Sequence, residues 1–298
     1  MSHTASIQAK ARELLETGAV ACVIGYEIGP RGRARPVFVE SPEGASRLVW
    51  NQACTHNLAA YLPARLRPGK KGEPARPVGV VVKACDSRAI NVLLAENQFA
   101  REQVHVIGVV CPGIREGAGQ SPIPDEAFPG EGQLQARCLR CAERTPVVSD
   151  TLIGEPFAAP PATLEEDPFD RLSGLGAEER LAYWLEQFDR CLRCYACRQA
   201  CPMCNCPTCL FERDDSTWLG MGIGLSEKRA FHLGRAYHLA GRCVGCNECE
   251  RACPMNIPIS HLNRMLAREI ETAFGYRAGL APVPGPLVTV LDRGEGRP

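Results

Sequence analysis

Two short cysteine-rich stretches decide the fold of the second half of this chain. They are CLRCYACRQACP, residues 191–202, and CVGCNECERACP, residues 243–254, called here the first and second cysteine strings. Both have the spacing C-x2-C-x2-C-x3-C-P, in which three thiolates of one loop bind one four-iron cubane and the fourth thiolate binds the neighbouring cubane. The duplicated spacing therefore predicts two [4Fe–4S] clusters with crossed ligands.

The crossed pattern assigns to each cluster three cysteines of one string and the last cysteine of the other. The predicted ligands are Cys191, Cys194, Cys197 and Cys253 for the first cluster, and Cys243, Cys246, Cys249 and Cys201 for the second. Zinc is the alternative interpretation. Zinc sites usually show paired C-x2-C knuckles rather than four-cysteine strings that end in proline, so the spacing favours iron–sulfur clusters.

The composition narrows the class of protein. The chain has 298 residues, with 34 basic side chains balanced by 34 acidic ones, which argues against a nucleic-acid binder. Its 17 cysteines are an odd number in a chain too long for a small disulfide-stapled module. The polar N-terminus lacks the apolar core of a signal peptide, and runs such as VGVVV at 78–82 are too short to span a membrane. We expect a cytoplasmic protein whose cysteines bind metal.

The second half is expected to form a mainly α-helical, two-cluster, ferredoxin-like domain over residues 176–275. Amphipathic periodicity predicts helices over 177–190 and 226–240, each running into a cysteine string, and a third helix over 259–274. The remaining tail, residues 276–298, is rich in proline and glycine and is predicted to be extended.

The first half, residues 1–153, is expected to be an α/β domain with a partly parallel sheet, because apolar strands alternate with helical patterns. Loops are predicted at 112–132 and, as a proline-rich linker, at 154–175. The strands are predicted at 19–29, 36–40, 46–50, 77–83 and 104–111, and the helices at 57–66 and 87–99.

Four further cysteines suggest a third site in the first half. Cys85 and Cys111 each follow a buried strand, and the pair Cys138 and Cys141 comes later in the chain. Ligands of open α/β sheets bind at the carboxyl ends of the strands, so four thiolates meeting there would suit a third cubane. The alternatives are small buried side chains, or a redox or zinc pair for the C-x2-C segment.

The segments KACDSRAINVLLAENQFAREQVHVIGVVCPG and RCLRCAERTPVVSDTLIGE resemble the beta-subunit family of coenzyme F420-reducing hydrogenases and dehydrogenases, over roughly residues 15–155. In that family such cysteines hold a [4Fe–4S] cluster beside a flavin. The resemblance therefore implies Cys85, Cys111, Cys138 and Cys141 as ligands of a third cluster, and it raises FAD as a further cofactor.

The second half, with CLRCYACR, HLAGRCVGCNECERACP and the following IPI-x2-L helix, is similar to the dicluster parts of heterodisulfide-reductase-type iron–sulfur subunits. Cys54 is expected in core or loop, with replacement of Cys85 as a ligand as the alternative. The cysteines that remain outside the three predicted sites are Cys22, Cys54, Cys204, Cys206 and Cys209. The last three are expected to pack near the clusters, with an additional metal site as the alternative.

Three functional hypotheses follow. The first is an electron-transfer subunit of an anaerobic oxidoreductase complex, with partner subunits of flavoprotein, hydrogenase or formate dehydrogenase type. The second is a flavin-containing oxidoreductase that itself acts on F420 or a nicotinamide cofactor. In the third, the α/β domain is a docking module that holds the dicluster half against a partner.

Overall fold

The computed structural model of the protein describes residues 2–67, 75–115, 134–156, 168–213, 215 and 220–287. The chain divides into two compact units, one of residues 1–164 with 279–283 and the other of residues 165–278 with 284–298. Much of the loop, the linker and the tail that the sequence suggests lies outside the described residues, at 116–133, 157–167 and 288–298. The domain boundaries drawn from the sequence stay predictions.

The first unit is built on a mixed, mostly parallel sheet of five strands in the order β2-β1-β3-β4-β5. Strand β2 pairs antiparallel with β1, while β1, β3, β4 and β5 run parallel. The strands are β1 (Cys22–Ile28), β2 (Ala34–Val39), β3 (Val78–Val82), β4 (Val104–Val109) and β5 (Thr151–Ile153). All five residues of β3 are buried, as expected of a central parallel strand covered on both faces. The predicted α/β class with a partly parallel sheet is confirmed.

Helices connect and cover this sheet. Helix α1 (His3–Glu16) buries Ile7, Ala11 and Leu14, one side of an amphipathic helix that the sequence analysis did not assign. The predicted helical stretch 57–66 is a 3-10 turn followed by the short α2 (Leu62–Arg65). Helix α3 (Ala84–Ala95) crosses from β3 to β4 and starts earlier than predicted. A further short helix, α4 (Ala136–Leu139), carries Cys138.

The strand predicted at 46–50 is wrong. Residues Glu43–Arg47 form a 3-10 helix, which the Ser41 hydroxyl supports by accepting a hydrogen bond from the Gly44 amide. The chain after it is extended, and Val49 donates one backbone hydrogen bond to the carbonyl oxygen of Tyr26. Alternating burial of Leu48 and Trp50 produced the strand-like pattern without a ladder of hydrogen bonds.

The second unit is helical. Its helices are α5 (Pro168–Gly174), α6 (Ala177–Asp189), α7 (Ala196–Gln199), α8 (Leu225–His238), α9 (Glu248–Arg251) and α10 (Ile259–Phe274). The three long helices agree with the predicted ones. Helix α5 lies inside the stretch predicted to be a linker, and its Leu172 is buried with Trp184, Phe188 and Ile257 in the core of this unit. No helix among the described residues is long and apolar enough to cross a lipid bilayer.

Candidate metal centres

The two cysteine strings fold into loops with the same backbone pattern. In the first string Arg193 and Tyr195 have positive φ angles of 52° and 59°, and in the second Gly245 and Asn247 have 71° and 54°. These residues flank the second cysteine of each string and lead into α7 and α9, which carry the third cysteine. The repeat seen in the sequence is therefore a repeat of loop geometry.

The first cavity lies against the first string. It holds about 370 Å³ of empty space, its open mouth included, and its cysteines are Cys191, Cys194, Cys197 and Cys253. Cys253 belongs to the second string, yet its charge helps raise the pKa of the Cys191 thiol, after the larger effect of burial. The structure thus brings together the four residues predicted for the first cluster.

The second cavity is the counterpart at the second string. It holds about 380 Å³ on the same measure, and its cysteines are Cys201, Cys243, Cys246 and Cys249. Burial raises the pKa of Cys249 well above its usual range, and the nearby charge of Cys201 adds to that rise. The four residues predicted for the second cluster are also brought together.

The cysteines of each cavity surround a space rather than a point. Of the described residues, no three or more His, Cys, Asp or Glu side chains are placed to hold a single metal ion. Ligands of a four-iron cubane bind different irons and are spaced around the cluster, whereas the four ligands of zinc lie about 2.0–2.3 Å from one ion. The donor set and the arrangement of the cysteines around each cavity fit a cubane.

Main-chain and amide N–H groups point at several of these sulfurs. The amide of Arg193 donates to Sγ of Cys191 at 3.3 Å, and the amide of Ile257 donates to Sγ of Cys253 at 3.4 Å. In the second cavity Nδ2 of Asn263 lies 3.8 Å from Sγ of Cys249. Such hydrogen bonds favour the thiolate form, which is the form that binds metal.

Arg235 of α8 is a buried cation beside both cavities, and the sequence analysis missed it. Burial opposes its positive charge, but the negative charges of nearby cysteine sulfurs outweigh that effect and raise its pKa well above the ordinary value; they are those of Cys201, Cys204, Cys249 and Cys197. Its helix position next to the second string was the only available signal. Arg193 of the first string instead donates hydrogen bonds to the carbonyl oxygens of Gly220, Gly222 and Phe211.

In the first unit, Cys85 and Cys111 lie at the same edge of the sheet. Val82 of β3 pairs with Gly108 of β4, so each cysteine follows that pair by three residues. Burial raises the pKa of Cys111 to about 12, and the thiols of Cys138 and Cys141 add to the rise. Three of the four predicted ligands of the third site therefore interact electrostatically, and Cys85 shares their edge of the sheet.

Backbone groups also orient this third set of cysteines. The amide of Ile114 donates to Sγ of Cys138 at 3.2 Å, and the Cys141 thiol donates to the carbonyl oxygen of Glu143 at 2.9 Å. Gly113 has a φ of 119°, which L residues with a side chain rarely adopt, and a Cβ atom there would lie 3.3 Å from the Cβ atom of Cys138. The loop after β4 can therefore approach α4 closely only with glycine at this position.

A buried ion pair lies directly under the same edge. Nζ of Lys83, only 2% exposed, lies 2.9 Å from Oδ2 of the fully buried Asp86. Lys83 also donates to the Tyr26 hydroxyl at 2.5 Å and to the carbonyl oxygen of His56 at 2.7 Å. The negative charge of Asp86 keeps the pKa of Lys83 well above its usual value despite burial.

The cysteines outside the three groups have different surroundings. Cys22 and Cys54 are buried in the first unit, and the Cys54 sulfur accepts from the Asn51 amide at 3.4 Å. Cys204 shares a hydrogen bond with Cys201, which lowers the pKa of Cys201 to about 6 and raises that of Cys204. Cys206 is exposed and Cys209 is half-buried. The expectation that the last three pack near the clusters fits Cys204 best.

The sequence model of the 4Fe–4S dicluster domain family matches residues 186–257, a range that holds all eight cysteines of the two strings. The second unit therefore carries a 4Fe–4S dicluster domain, which indicates two iron–sulfur clusters.

The chain is also similar to the F420-dependent formate dehydrogenase subunit beta of Methanocaldococcus jannaschii. They are 30% identical over 119 residues, which cover 37% of this chain and 28% of the relative. A second relative is the F420-dependent formate dehydrogenase 1 subunit beta of Methanococcus maripaludis, 33% identical over 97 residues, or 33% of this chain and 24% of the relative. The resemblance to the beta-subunit family is confirmed, and the chain spans about a quarter of the length of these relatives.

Proposed function

We propose that this chain is an iron–sulfur electron-transfer subunit of a multi-subunit oxidoreductase, in which single electrons pass through [4Fe–4S] clusters. The observation that carries the proposal is the pair of cavities in the second unit, each lined by four cysteines drawn from both strings. The dicluster match over the same residues supports it independently.

The proposed ligand sets are those of the two cavities. They are Cys191, Cys194, Cys197 and Cys253 for the first cluster, and Cys243, Cys246, Cys249 and Cys201 for the second. Each string contributes three cysteines to one site and its last cysteine to the other. Both sites therefore depend on the packing of one string against the other.

The surrounding side chains provide what such clusters need. A bound [4Fe–4S] cluster supplies a one-electron couple whose potential follows hydrogen bonds to sulfur, net charge and burial. The buried side chains of Ile257 and Ile259 give the first cavity an apolar wall. The amides of Arg193 and Ile257 donate to ligand sulfurs, and buried Arg235 offsets the negative charge of the thiolates.

A third cluster is proposed at the carboxyl edge of the sheet in the first unit. Its ligands are Cys85, Cys111, Cys138 and Cys141. The equal offset of Cys85 and Cys111 from paired residues supports the grouping, as does the contribution of Cys138 to the raised pKa of Cys111. The amide that donates to Sγ of Cys138 fits a thiolate ligand there.

The proposed complex is of formate dehydrogenase type, because both similar proteins are named as beta subunits of F420-dependent formate dehydrogenases. The alternative is a hydrogenase complex or a heterodisulfide-reductase-like flavoprotein complex. In each of these complexes the partner subunits carry out the chemistry on the substrate.

We propose that the complex is cytoplasmic. A docking role of the first unit toward a partner is compatible with electron transfer through the second.

A second candidate function is a flavin-containing oxidoreductase that itself exchanges electrons with F420 or a nicotinamide cofactor. The F420-dependent names of the similar proteins favour it. Release of cofactors by acid from the anaerobically purified chain distinguishes the two. FAD in the supernatant supports this candidate, while a colourless supernatant leaves electron transfer by clusters as the function of the isolated subunit.

Anaerobic reconstitution followed by iron and sulfide analysis tests the main proposal. Since each cubane holds four irons, about 12 irons per chain are expected for three clusters and about 8 for the second unit alone. Potentiometric reduction should then yield one electron per cluster. Bound zinc in place of iron in the anaerobically purified protein, with no iron taken up, would overturn the proposal.

A further inference from the structure

His232 of α8 faces the first cavity with both ring nitrogens uncommitted. The side chain is 3% exposed and lines the cavity together with Cys191, Cys194, Cys197 and Cys253. Neither Nδ1 nor Nε2 has a hydrogen-bond partner in the described part of the chain. Burying an N–H group without a hydrogen-bond partner costs about 1–3 kcal/mol of folding free energy. An acceptor that occupies the cavity would remove this cost.

The ring has little freedom to find that acceptor elsewhere. The ring stacks on Phe188, with the ring centroids 4.7 Å apart and an angle of 9° between the ring planes. The Phe231 ring packs against it in an edge-to-face arrangement, with the centroids 5.0 Å apart. Stacking of this kind fixes the plane in which the N–H groups point. The orientation of His232 is therefore set by packing before any ligand is present.

The other polar side chain on the cavity wall is already engaged. The Tyr195 hydroxyl donates to the carbonyl oxygen of Phe211 at 2.9 Å and accepts from Arg193 at 2.8 Å. Besides the four cysteines, the remaining wall residues are apolar: Leu192, Phe231, Pro254, Met255, Ile257 and Ile259. His232 is thus the side-chain donor that this wall offers to a group inside.

The imidazole provides a donor in either charge state. A neutral ring has one N–H donor and one acceptor nitrogen, and a protonated ring has two N–H donors. The hydrogen bond that His232 can offer to the cavity therefore does not depend on its charge state.

We propose that His232 donates an N–H hydrogen bond to a sulfur atom of the first [4Fe–4S] cluster and thereby raises the reduction potential of that cluster. The inference rests on the proposed function, since it needs a cluster in the first cavity. Reduction adds negative charge to the sulfurs, so an N–H donor stabilises the reduced cluster more than the oxidised one. The second cavity has the Asn263 amide near Cys249 instead, so the two clusters differ in their donors.

Potentiometric titration followed by electron paramagnetic resonance tests the hydrogen bond. His232→Leu removes the donor, while His232→Gln keeps an N–H of different reach. In His232→Leu the ratio of reduced to oxidised first cluster, at fixed ambient potential, should fall about tenfold. This corresponds to a reduction potential about 59 mV more negative for a one-electron couple. His232→Gln should recover part of that shift. The first cluster is identified as the signal that Cys194→Ala abolishes.

His238→Leu is the matched control, because His238 is on the same helix, is exposed and is not part of the cavity wall. It should leave both potentials unchanged. Equal potentials in wild type and His232→Leu, or equal shifts in His232→Leu and His232→Gln, would overturn the hydrogen bond.

A spectroscopic readout covers the case in which His232→Leu does not retain the first cluster. Protein labelled with ¹⁵N-histidine should show nitrogen coupling to the reduced first cluster, and His232→Gln should lose that coupling while keeping its iron. Coupling that persists in His232→Gln would assign it to another histidine and overturn the inference. A wild-type chain without any cluster would instead overturn the proposed function.

Discussion

Nη2 of Arg235 donates a hydrogen bond of 2.9 Å to the main-chain carbonyl oxygen of Cys197. Cys197 lines the first cavity. Cys201 and Cys249 line the second cavity, and they help to raise the pKa of the same guanidinium. With 4% of its surface exposed, Arg235 is a buried cation shared by both candidate sites. One side chain thus links the electrostatics of the two clusters.

Replacing this cation should change both clusters at once. In Arg235→Met the reduction potentials of the first and second clusters should each fall by on the order of 60 mV, since a nearby positive charge stabilises the reduced state. Potentiometric titration of both signals measures the effect. Arg229→Met is the matched control, because Arg229 is exposed on the same helix. A shift confined to one cluster would contradict the shared role.

Crossed ligation predicts which cluster each fourth cysteine supports. Cys201→Ala should damage the cluster of the second string, and Cys253→Ala the cluster of the first string, because each cysteine lines the cavity of the opposite string. Iron analysis and Mössbauer spectra of each variant identify the damaged cluster. Cys206→Ala, at an exposed position outside both cavity walls, should leave both intact. Damage to the cluster of the same string would show that ligation is not crossed.

The third site has its own variant. Cys138→Ala should remove one paramagnetic signal and about four irons per chain, while the two signals of the second unit stay unchanged. Cys22→Ala is the control, since Cys22 is a buried cysteine at the start of β1, beside the first residue of β3 rather than its carboxyl end. Unchanged iron content in Cys138→Ala would remove the third cluster from the proposal.

The ion pair beneath the sheet edge predicts a large loss of stability. Lys83→Met leaves the carboxylate of Asp86 buried without its cation, so the free energy of unfolding should fall by about 3–5 kcal/mol. The double variant Lys83→Met, Asp86→Asn should recover part of the loss, because the uncompensated charge is then removed. Denaturant unfolding of the protein measures each value.

A surface pair provides the comparison for that experiment. Lys10→Met breaks the 2.7 Å contact with Glu13 on α1, where both side chains reach solvent. Exposed pairs contribute at most about 1 kcal/mol, so this variant should be near wild type. A loss in Lys83→Met no larger than in Lys10→Met would mean that water or another group compensates Asp86.

Periodicity and cysteine spacing predicted the elements that depend on local pattern. The continuous apolar run of β3 and the regular spacing of α10 are visible in the sequence because burial imposes them residue by residue. The repeated spacing of the strings likewise predicted the two groups of four cysteines that line the cavities. In each case a short stretch of chain carries the whole constraint.

The features that could not be predicted depend on contacts between distant residues. Lys83 is a buried charged side chain whose partners include Asp86, three residues later, but also the Tyr26 hydroxyl and the carbonyl oxygen of His56. The last two are distant in sequence, so no local pattern predicts them. His232 could not be singled out from the sequence, because a single helical histidine has no spacing that reveals a cavity. The 3-10 helix at Glu43–Arg47 was missed because the alternating burial of Leu48 and Trp50, which follow it, resembles that of a strand.

The buried amide of Asn91 has a consequence for dividing this chain into fragments. Its Nδ2 donates a hydrogen bond of 3.0 Å to the carbonyl oxygen of Gly279. Gly279 lies 188 positions later in the sequence but belongs to the same first compact unit. Gly279 has a φ of 77°, and a Cβ there would lie 2.1 Å from the carbonyl oxygen of Arg88, so only glycine fits. The first unit is therefore discontinuous in sequence. A cut within residues 157–167 would separate it from its own last segment and leave the Asn91 amide buried without that acceptor.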